Sequence, residues 1–221
     1  MFDKRKSEKE TARTEAFSDG VFAIAITLLI MEIKVPTGDE LHRGLFYALL
    51  DKWPNYLAFF IGFFTVLVCW INHHHAFSHI VKCTQTFCIV NALVLFVVGF
   101  VPYPTAVLAV FVNTSEAQTA VQLFGLTYIF MALAYRFLWG YAYHNKLTAP
   151  DTDEKYKKAT LRMYDFGVLH TVFTFFVSFW SVPASLVLYV FLFSMFLFPV
   201  WYINLIIKLS RKQSTSNIHP R

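Results

Sequence analysis

Ionisable and polar side chains interrupt the long apolar runs of this sequence at only a few positions. Those that could do chemistry are Asp19, His73, His74, Asn91, Arg136, Asp165 and His170. An ionisable group within hydrocarbon is costly, so by default it marks a functional site or a pair between helices. Carboxylates and imidazoles can relay protons, and imidazole titrates near physiological pH. These residue types therefore suit ion or proton passage.

The run of three histidines does not suggest a metal site. Successive residues on a helix point about 100° apart, so His73, His74 and His75 cannot converge on one ion. His75 and His79 are four residues apart and could share a ligand face, but no third ligand is evident nearby. We expect instead that a histidine of this run pairs with Asp19.

Enzymatic and disulfide chemistry receive no support from the remaining residues. Cys69, Cys83 and Cys88 are odd in number and form no CxxC pair, so neither a disulfide framework nor a thiolate zinc site is predicted. Ser/His/Asp, HExxH and paired-carboxylate arrangements do not occur at usable spacing. We therefore predict no enzymatic activity and no cofactor.

The composition indicates a membrane protein. Hydrophobic residues make up 57% of the 221 residues and charged residues 15%, whereas a globular chain carries about a quarter charged residues. Six apolar runs are long enough to span hydrocarbon as helices: 17–33, 54–77, 86–111, 119–143, 163–180 and 182–209. We predict an all-α, polytopic membrane protein, with a six-helix transmembrane domain over residues 1–212 and a disordered tail over residues 213–221.

The basic residues indicate the orientation of these spans. With the N-terminus inside, fifteen of the nineteen Lys and Arg residues lie in cytoplasmic segments and three lie in outer loops, while Arg136 is inside a span. Both termini are therefore predicted to be cytoplasmic. The basic residues behind the net charge of +5 are concentrated on one membrane face, so this charge does not indicate nucleic acid as a partner. The same orientation puts the polar residues of the spans in the inner half of the bilayer.

Helix one has two different faces. At about 100° per residue, one stripe is apolar apart from a hydroxyl and contains Phe17, Gly20, Ile24, Thr27 or Leu28, and Met31. Asp19 lies roughly 140° away from this stripe, on the side that would face other helices of the same subunit. An apolar stripe usually contacts lipid or core. A ring of such stripes around an axis would instead form a hydrophobic constriction that gates by dewetting.

The helix-one residues also resemble a known family. The segment RTEAFSDGVFAIAIT at residues 13–27 is similar to the R-x-x-x-F-S-D signature of the transmembrane protein 175 family, the endolysosomal potassium channel and its bacterial homologues. Trp70-x-x-His73-His74-x-x-Phe77 resembles the helix-two pattern, and Asn91-x-Leu93-x-Leu95 followed by Phe100-x-Pro102-Tyr103 resembles that of helix three. The resemblance covers helices one to three, and later helices match only in hydropathy.

The resemblance implies a cation channel without the T-V-G-Y-G carbonyl filter, whose pore is lined by helix one. Ile24 would form the constriction, and the predicted pore-lining residues are Ile24, Thr27, Leu28 and Met31, the last in place of the usual leucine. A network behind the pore helix would comprise Arg13, Ser18, Asp19, His73 or His74, and Asn91. The vertebrate members carry two repeats and dimerise. One repeat here implies a homotetramer, and a bacterial plasma-membrane protein.

Our hypothesis is passive, weakly potassium-selective cation flow along a fourfold axis, with potassium bound transiently near Thr27. The expected partners are other copies of the chain, the lipid bilayer and monovalent cations. An alternative is a proton-coupled carrier whose relay uses Asp19, His73 or His74, Asp165 and His170. An intramembrane enzyme and a purely structural membrane protein are weaker alternatives.

Overall fold

The computed structural model describes residues 4–216, with side chains described from residue 9 to residue 209. This part of the chain contains nine α-helices: α1 (Lys4–Leu28), α2 (Leu45–Asp51), α3 (Trp53–Phe77), α4 (Gln85–Phe100), α5 (Pro102–Phe111), α6 (Ala117–His144), α7 (Glu154–Val177), α8 (Val182–Phe196) and α9 (Pro199–Ser216). Short 3-10 helices follow α1 and precede α2, at Leu29–Glu32 and Gly38–Leu41. Helix α9 ends inside the segment 213–221 that we predict to be a tail, and residues 217–221 lie outside the described part.

The described residues form no β-strand, so the predicted all-α class is confirmed. The β-type backbone pairing found among them is an isolated antiparallel bridge between Ile80 and Thr148. Beside it, the Val81 amide donates to the Leu147 carbonyl at 3.0 Å, and the Ala149 amide donates to the His79 carbonyl at 2.8 Å. The α3–α4 and α6–α7 connections therefore lie at the same end of the bundle, as an alternation of spans requires.

Not all of the predicted spans are equally apolar. Four segments of the described chain are long and apolar enough to cross a membrane: Lys9–Glu32, Trp53–Phe77, Gln85–Phe111 and Ala117–His144. Helix α8 and the following residues to Leu209 make a fifth if they count as one span. Helix α7 is not among them, because Arg162, Asp165 and His170 interrupt its apolar run. Length and composition thus support four or five spans.

Prolines divide two of the predicted spans. The run 182–209 is not one straight helix, because α8 and α9 meet at an angle of 85° and α9 begins at Pro199. Proline has no amide hydrogen and disfavours helical backbone at the preceding residue, so it starts a helix more readily than it continues one. In the run 86–111, Pro102 cannot donate to the Val98 carbonyl, and the Val101 amide bonds to that carbonyl instead at 3.1 Å.

Helix α6 is central to the bundle and packs against α4, α5, α7 and α8. Among the fully buried side chains of α6 is Trp139, whose indole N–H donates to the Lys157 carbonyl on α7 at 3.1 Å. Further along α6, a Cβ placed on Gly125 would collide with the hydroxyl of Tyr189 and approach Phe175 Cδ2 to 3.2 Å. Tyr189 is itself buried. Glycine at this position therefore allows α6 and α8 to approach closely.

We expect Gly125→Ala to destabilise the protein by about 1–3 kcal/mol, the usual cost of overfilling a packed core. The added methyl group must displace the Tyr189 ring, which is buried against Phe124 and Tyr128. Gly99→Ala is the matched control, because nothing lies within 4 Å of a Cβ at that helical glycine. Thermal unfolding in detergent, followed by circular dichroism, should show a lower midpoint for Gly125→Ala alone. Equal midpoints for the two variants would contradict the close approach.

Candidate functional site

One face of α1 is buried against the rest of the bundle. Ser18, Phe22 and Ala25 of α1, followed by Leu29 at the start of the 3-10 helix, recur every three or four residues, and each is at most 3% exposed. This spacing puts them on one side of a helix, where they contact α3 and α4. The packing fixes both the position of α1 and its rotation about its own axis.

The opposite face of α1 is uncovered in the protomer. Each residue of the predicted stripe is exposed: Phe17, Gly20, Ile24, Thr27, Leu28 and Met31. Ile24 is 61% exposed although it lies in the middle of an apolar segment. Within a membrane, such a face can contact lipid, another copy of the chain or the interior of a passage. Met31 lies in the 3-10 helix Leu29–Glu32, so the α-helical spacing of the stripe ends at Leu28.

The hydroxyl of Thr27 is the polar group on this exposed face. It donates to its own helix, at 2.8 Å from the Ala23 carbonyl and 3.0 Å from the Ile24 carbonyl. A hydroxyl carries one donor hydrogen and two acceptor lone pairs. Because its hydrogen is directed to the backbone, the Thr27 oxygen can present lone pairs outward to a cation or to its water shell.

A chain of side-chain hydrogen bonds is buried behind α1. The Asn91 amide donates to Ser18 Oγ at 2.9 Å, and the Ser18 hydroxyl donates to the Thr14 carbonyl at 2.8 Å. At the other end, His73 Nε2 lies 2.8 Å from Asn91 Oδ1, so Nε2 carries the hydrogen and donates it. The chain joins α1, α3 and α4. The sequence left His73 and His74 as alternatives, and the structure places His73 here.

The structure gives Asp19 an indole as its hydrogen-bond partner. Asp19 Oδ1 accepts a hydrogen bond from the Trp70 indole at 2.9 Å, while His74 Nδ1 lies 3.3 Å from Glu15 Oε1. Asp19 is one helical turn beyond Glu15, and Trp70 is one turn before His74, so the two pairs follow the antiparallel packing of α1 and α3. The matched four-residue spacing is visible in the sequence, but the register between the helices is not.

Arg13 lies apart from this buried chain. Its side chain is exposed and lines an open cleft between the N-terminal part of α1 and the start of α4, together with Thr14, Cys83 and Cys88. Among the residues whose side chains are described, Arg13 forms no hydrogen bond or ion pair. Ser18, Asn91 and His73 are thus brought together, whereas Arg13, Asp19 and His74 are placed around them.

The other polar residues of the spans make separate local contacts. Arg136 forms an ion pair with Asp165, which joins α6 to α7. His170 Nε2 donates to the Leu188 carbonyl at 3.0 Å, and His75 Nε2 lies 2.7 Å from the Tyr156 hydroxyl. Within the described residues, no group of three or more His, Cys, Asp or Glu side chains could hold a metal ion. These contacts do not form one continuous relay with His73.

Comparisons with known proteins identify the family. The profile of the family described as endosomal/lysosomal potassium channel TMEM175 matches residues 13–102. A potassium channel of Chamaesiphon minutus is 41% identical over 180 residues, which are 80% of this chain and 89% of the relative. The chain belongs to the TMEM175 family. A potassium channel of Streptomyces collinus is 40% identical over 179 residues, covering 80% of this chain and 86% of that one.

The fold agrees with this assignment. The crystal structure of a lysosomal potassium-selective channel TMEM175 homolog from Chamaesiphon minutus superposes with a TM-score of 0.77 at 37% identity. The match covers 89% of this chain and 99% of that one. The chain therefore has the TMEM175 fold and is a membrane protein of an ion-channel family, which confirms the resemblance found in its first three spans.

We expect Asn91→Leu to lower stability by about 1–3 kcal/mol, because a buried polar group that loses its partner keeps its full desolvation cost. Leucine has a similar size, so the change removes the partner of His73 without leaving a large cavity. Trp70→Phe is the control, since it removes a hydrogen bond to Asp19, whose carboxylate is only half-buried. Thermal unfolding in detergent should show the larger loss for Asn91→Leu. A larger loss for Trp70→Phe would contradict the importance of the buried chain.

Proposed function

We propose that the chain is one subunit of a weakly potassium-selective cation channel, in which α1 of several copies lines the pore and Ile24 forms a hydrophobic constriction in place of a carbonyl filter. The observation that carries this proposal is the uncovered stripe of α1, which lies opposite a firmly packed face. The relatives described as potassium channels support potassium as the permeant ion.

The composition of the stripe favours contact between copies over contact with lipid alone. Gly20 is exposed, and nothing lies within 4 Å of a Cβ built on it. Glycine weakens an exposed helix without improving its contact with lipid, but it lets helices in a membrane approach one another. Ile24 follows one turn later and Thr27 comes next. A small residue, a bulky aliphatic residue and a hydroxyl in succession suit a narrow passage around an axis.

Four copies give a plausible closed ring for these dimensions. Packed helices lie roughly 8–10 Å apart, so four helices at the corners of a square have axes about 6–7 Å from its centre. A helix with its side chains has a radius of about 5–6 Å. The Ile24 side chains would therefore meet near the centre and exclude water. This geometry supports the homotetramer that a single-repeat chain of the family implies.

Conduction then requires the constriction to become wet. A small rotation or tilt of α1 would move the Ile24 ring away from the axis and admit water. The Thr27 hydroxyls would receive the ion next and hold potassium transiently. With few polar ligands along the pore, selectivity depends on ring diameter and ion hydration, so we infer that it is modest.

In the bilayer we propose six spans, residues 1–212 forming the channel domain, and both termini in the cytoplasm of a plasma membrane. Helix α7, the fifth span in chain order, completes the six despite its charges. The ion pair between Arg136 and Asp165 offsets part of the cost of placing both side chains in hydrocarbon. The carrier alternative has less support, because Asp165 is engaged by Arg136 and His170 donates to a backbone carbonyl.

Ile24→Asn should raise passive potassium flux into liposomes by roughly tenfold, which corresponds to lowering the barrier to hydration by about 1.4 kcal/mol. The amide of asparagine binds water that isoleucine excludes. Ile89→Asn is the matched control, because Ile89 is 59% exposed but lies on α4 and not on the stripe of α1. Potassium uptake into liposomes under a potassium gradient measures both variants.

Two results would contradict the proposed pore. Unchanged flux in Ile24→Asn would mean that Ile24 is not the constriction, and equal increases in both variants would indicate a general leak. The oligomeric mass of each variant in detergent must equal that of the unmodified protein, so that altered assembly is not mistaken for altered gating.

Thr27→Val should lower the potassium-to-sodium permeability ratio by up to about fivefold. This is the effect of losing one favourable contact with the ion that is worth ~1 kcal/mol, the net contribution of a typical hydrogen bond. Valine keeps the shape of threonine and removes the hydroxyl. Thr27→Ser keeps the hydroxyl and should retain the ratio. Reversal potentials under bi-ionic conditions measure this ratio. If valine and serine give the same ratio as threonine, the hydroxyl does not contribute to selectivity.

A further inference from the structure

Two thiols lie in contact at the start of α4. Cys83 Sγ and Cys88 Sγ are 3.0 Å apart, and both cysteines are free and half-buried. A disulfide bond is about 2.05 Å long, so a movement of roughly 1 Å separates this contact from a covalent bond. Between them, Thr84 caps the helix by accepting a hydrogen bond from the Phe87 amide at 3.1 Å. The cap fixes the turn that holds the two thiols together.

The same two thiols touch α1. Thr14 Oγ1 lies 3.3 Å from Cys83 Sγ and 3.7 Å from Cys88 Sγ. The Thr14 hydroxyl donates its hydrogen to the Glu10 carbonyl at 3.0 Å, so it meets the thiols as an acceptor. The carbonyl of Thr14 accepts the hydrogen bond of Ser18, the first member of the buried chain. The thiol pair and the buried chain thus share one turn of α1.

We propose that Cys83 and Cys88 form a redox modification site, in which a peroxide closes an intramolecular disulfide and thereby breaks the contacts of the two thiols with Thr14. In the first step the peroxide oxidises one thiol to a sulfenic acid and leaves as water. In the second step the other thiol attacks that sulfur, the S–S bond forms and a second water is released. One dithiol and one hydrogen peroxide therefore give one disulfide and two waters. A dithiol reductant restores the thiols.

The surroundings make the site accessible but not easily oxidised. Both sulfurs line the open cleft beside Arg13 and Gln85, which gives a small oxidant a path to them. Burial, and secondly the hydrogen bond with Cys88, raise the pKa of the Cys83 thiol to about 11. Because the thiolate is the reactive form, the pair stays reduced against weak oxidants and responds to a sustained oxidant. The third cysteine, Cys69, is buried in the bundle and serves as an internal reference.

The test uses the full chain in detergent, treated with hydrogen peroxide and then alkylated with N-ethylmaleimide. We expect Cys83 and Cys88 to escape alkylation and the oxidised chain to lose about 2 Da, the mass of the two hydrogens removed when a disulfide forms. Peptide mapping should locate the bond between these two residues. Cys83→Ser and Cys88→Ser should each abolish the mass loss, whereas Cys69→Ser should retain it. Alkylation of both thiols after oxidation, or a bond that involves Cys69 or a second chain, would overturn the proposal.

The effect of the disulfide on α1 is tested by a separate measurement of potassium flux. This second test rests on the proposed function. Oxidation of protein in liposomes should change the potassium flux, dithiothreitol should reverse the change, and Cys88→Ser should not respond. A disulfide that forms while the flux stays constant would overturn the link through Thr14. If the protein conducts no potassium at all, the proposed function fails, and the mass measurement still decides whether the site exists.

Discussion

The position of α1 depends on polar side chains that are buried where water cannot reach them. Asn91 uses both ends of its amide, since its nitrogen donates to Ser18 on one helix and its oxygen accepts from His73 on another. In hydrocarbon an unpaired polar group retains its full desolvation cost, so a slip of one helix against its neighbours would break both bonds at once. Apolar packing alone tolerates such slips, because many registers bury similar areas. The hydrogen-bonded chain therefore specifies one register, and with it the direction in which the opposite face of α1 points.

A second constraint of a different kind acts where α1 ends and the 3-10 helix Leu29–Glu32 begins. Leu29 is buried against Gly62 of α3, and a Cβ built on Gly62 would lie 2.8 Å from Leu29 Cδ2 and 3.1 Å from Thr105 Cγ2. A small residue thus brings the backbones of α1 and α3 close together, as is common between helices in membranes. Hydrogen bonds hold the middle of α1 at Ser18, and close packing holds the C-terminal end. Between them, the segment that carries Ile24 is supported by neighbours on one side only.

The sequence predicts what depends on periodicity, and it fails where contacts depend on register. The exposed stripe follows from the repeat of 3.6 residues, and the first four spans follow from the length of their apolar runs. Neither property tells which residue of α3 faces Asp19, so the indole of Trp70 was not foreseen as its partner. The same holds for Arg136 and Asp165, which come together only because α6 packs on α7. The bend at Pro199 is different, since proline signals a break but not its angle. The family resemblance indicated both His73 and His74. Only the orientation of α3 about its own axis shows that His73 is the one that faces Asn91.

The two supports of α1 also limit how a hydrophobic constriction could open. A dry ring of side chains is sensitive to its radius, because water enters once the gap exceeds the size of a few molecules. A constriction on a loosely held helix would fluctuate across this threshold and leak. In the proposed pore, the buried chain and the Gly62 contact would keep the Ile24 ring at a closed radius. Opening would require a rotation of α1 that leaves the hydrogen bonds and the Gly62 contact intact. The turn at Thr14 lies on the N-terminal side of the buried chain, near the middle of α1. The Thr14 carbonyl accepts the hydrogen bond of Ser18, so a change in the contacts of Thr14 would act on α1 directly beside the bonds that specify its register.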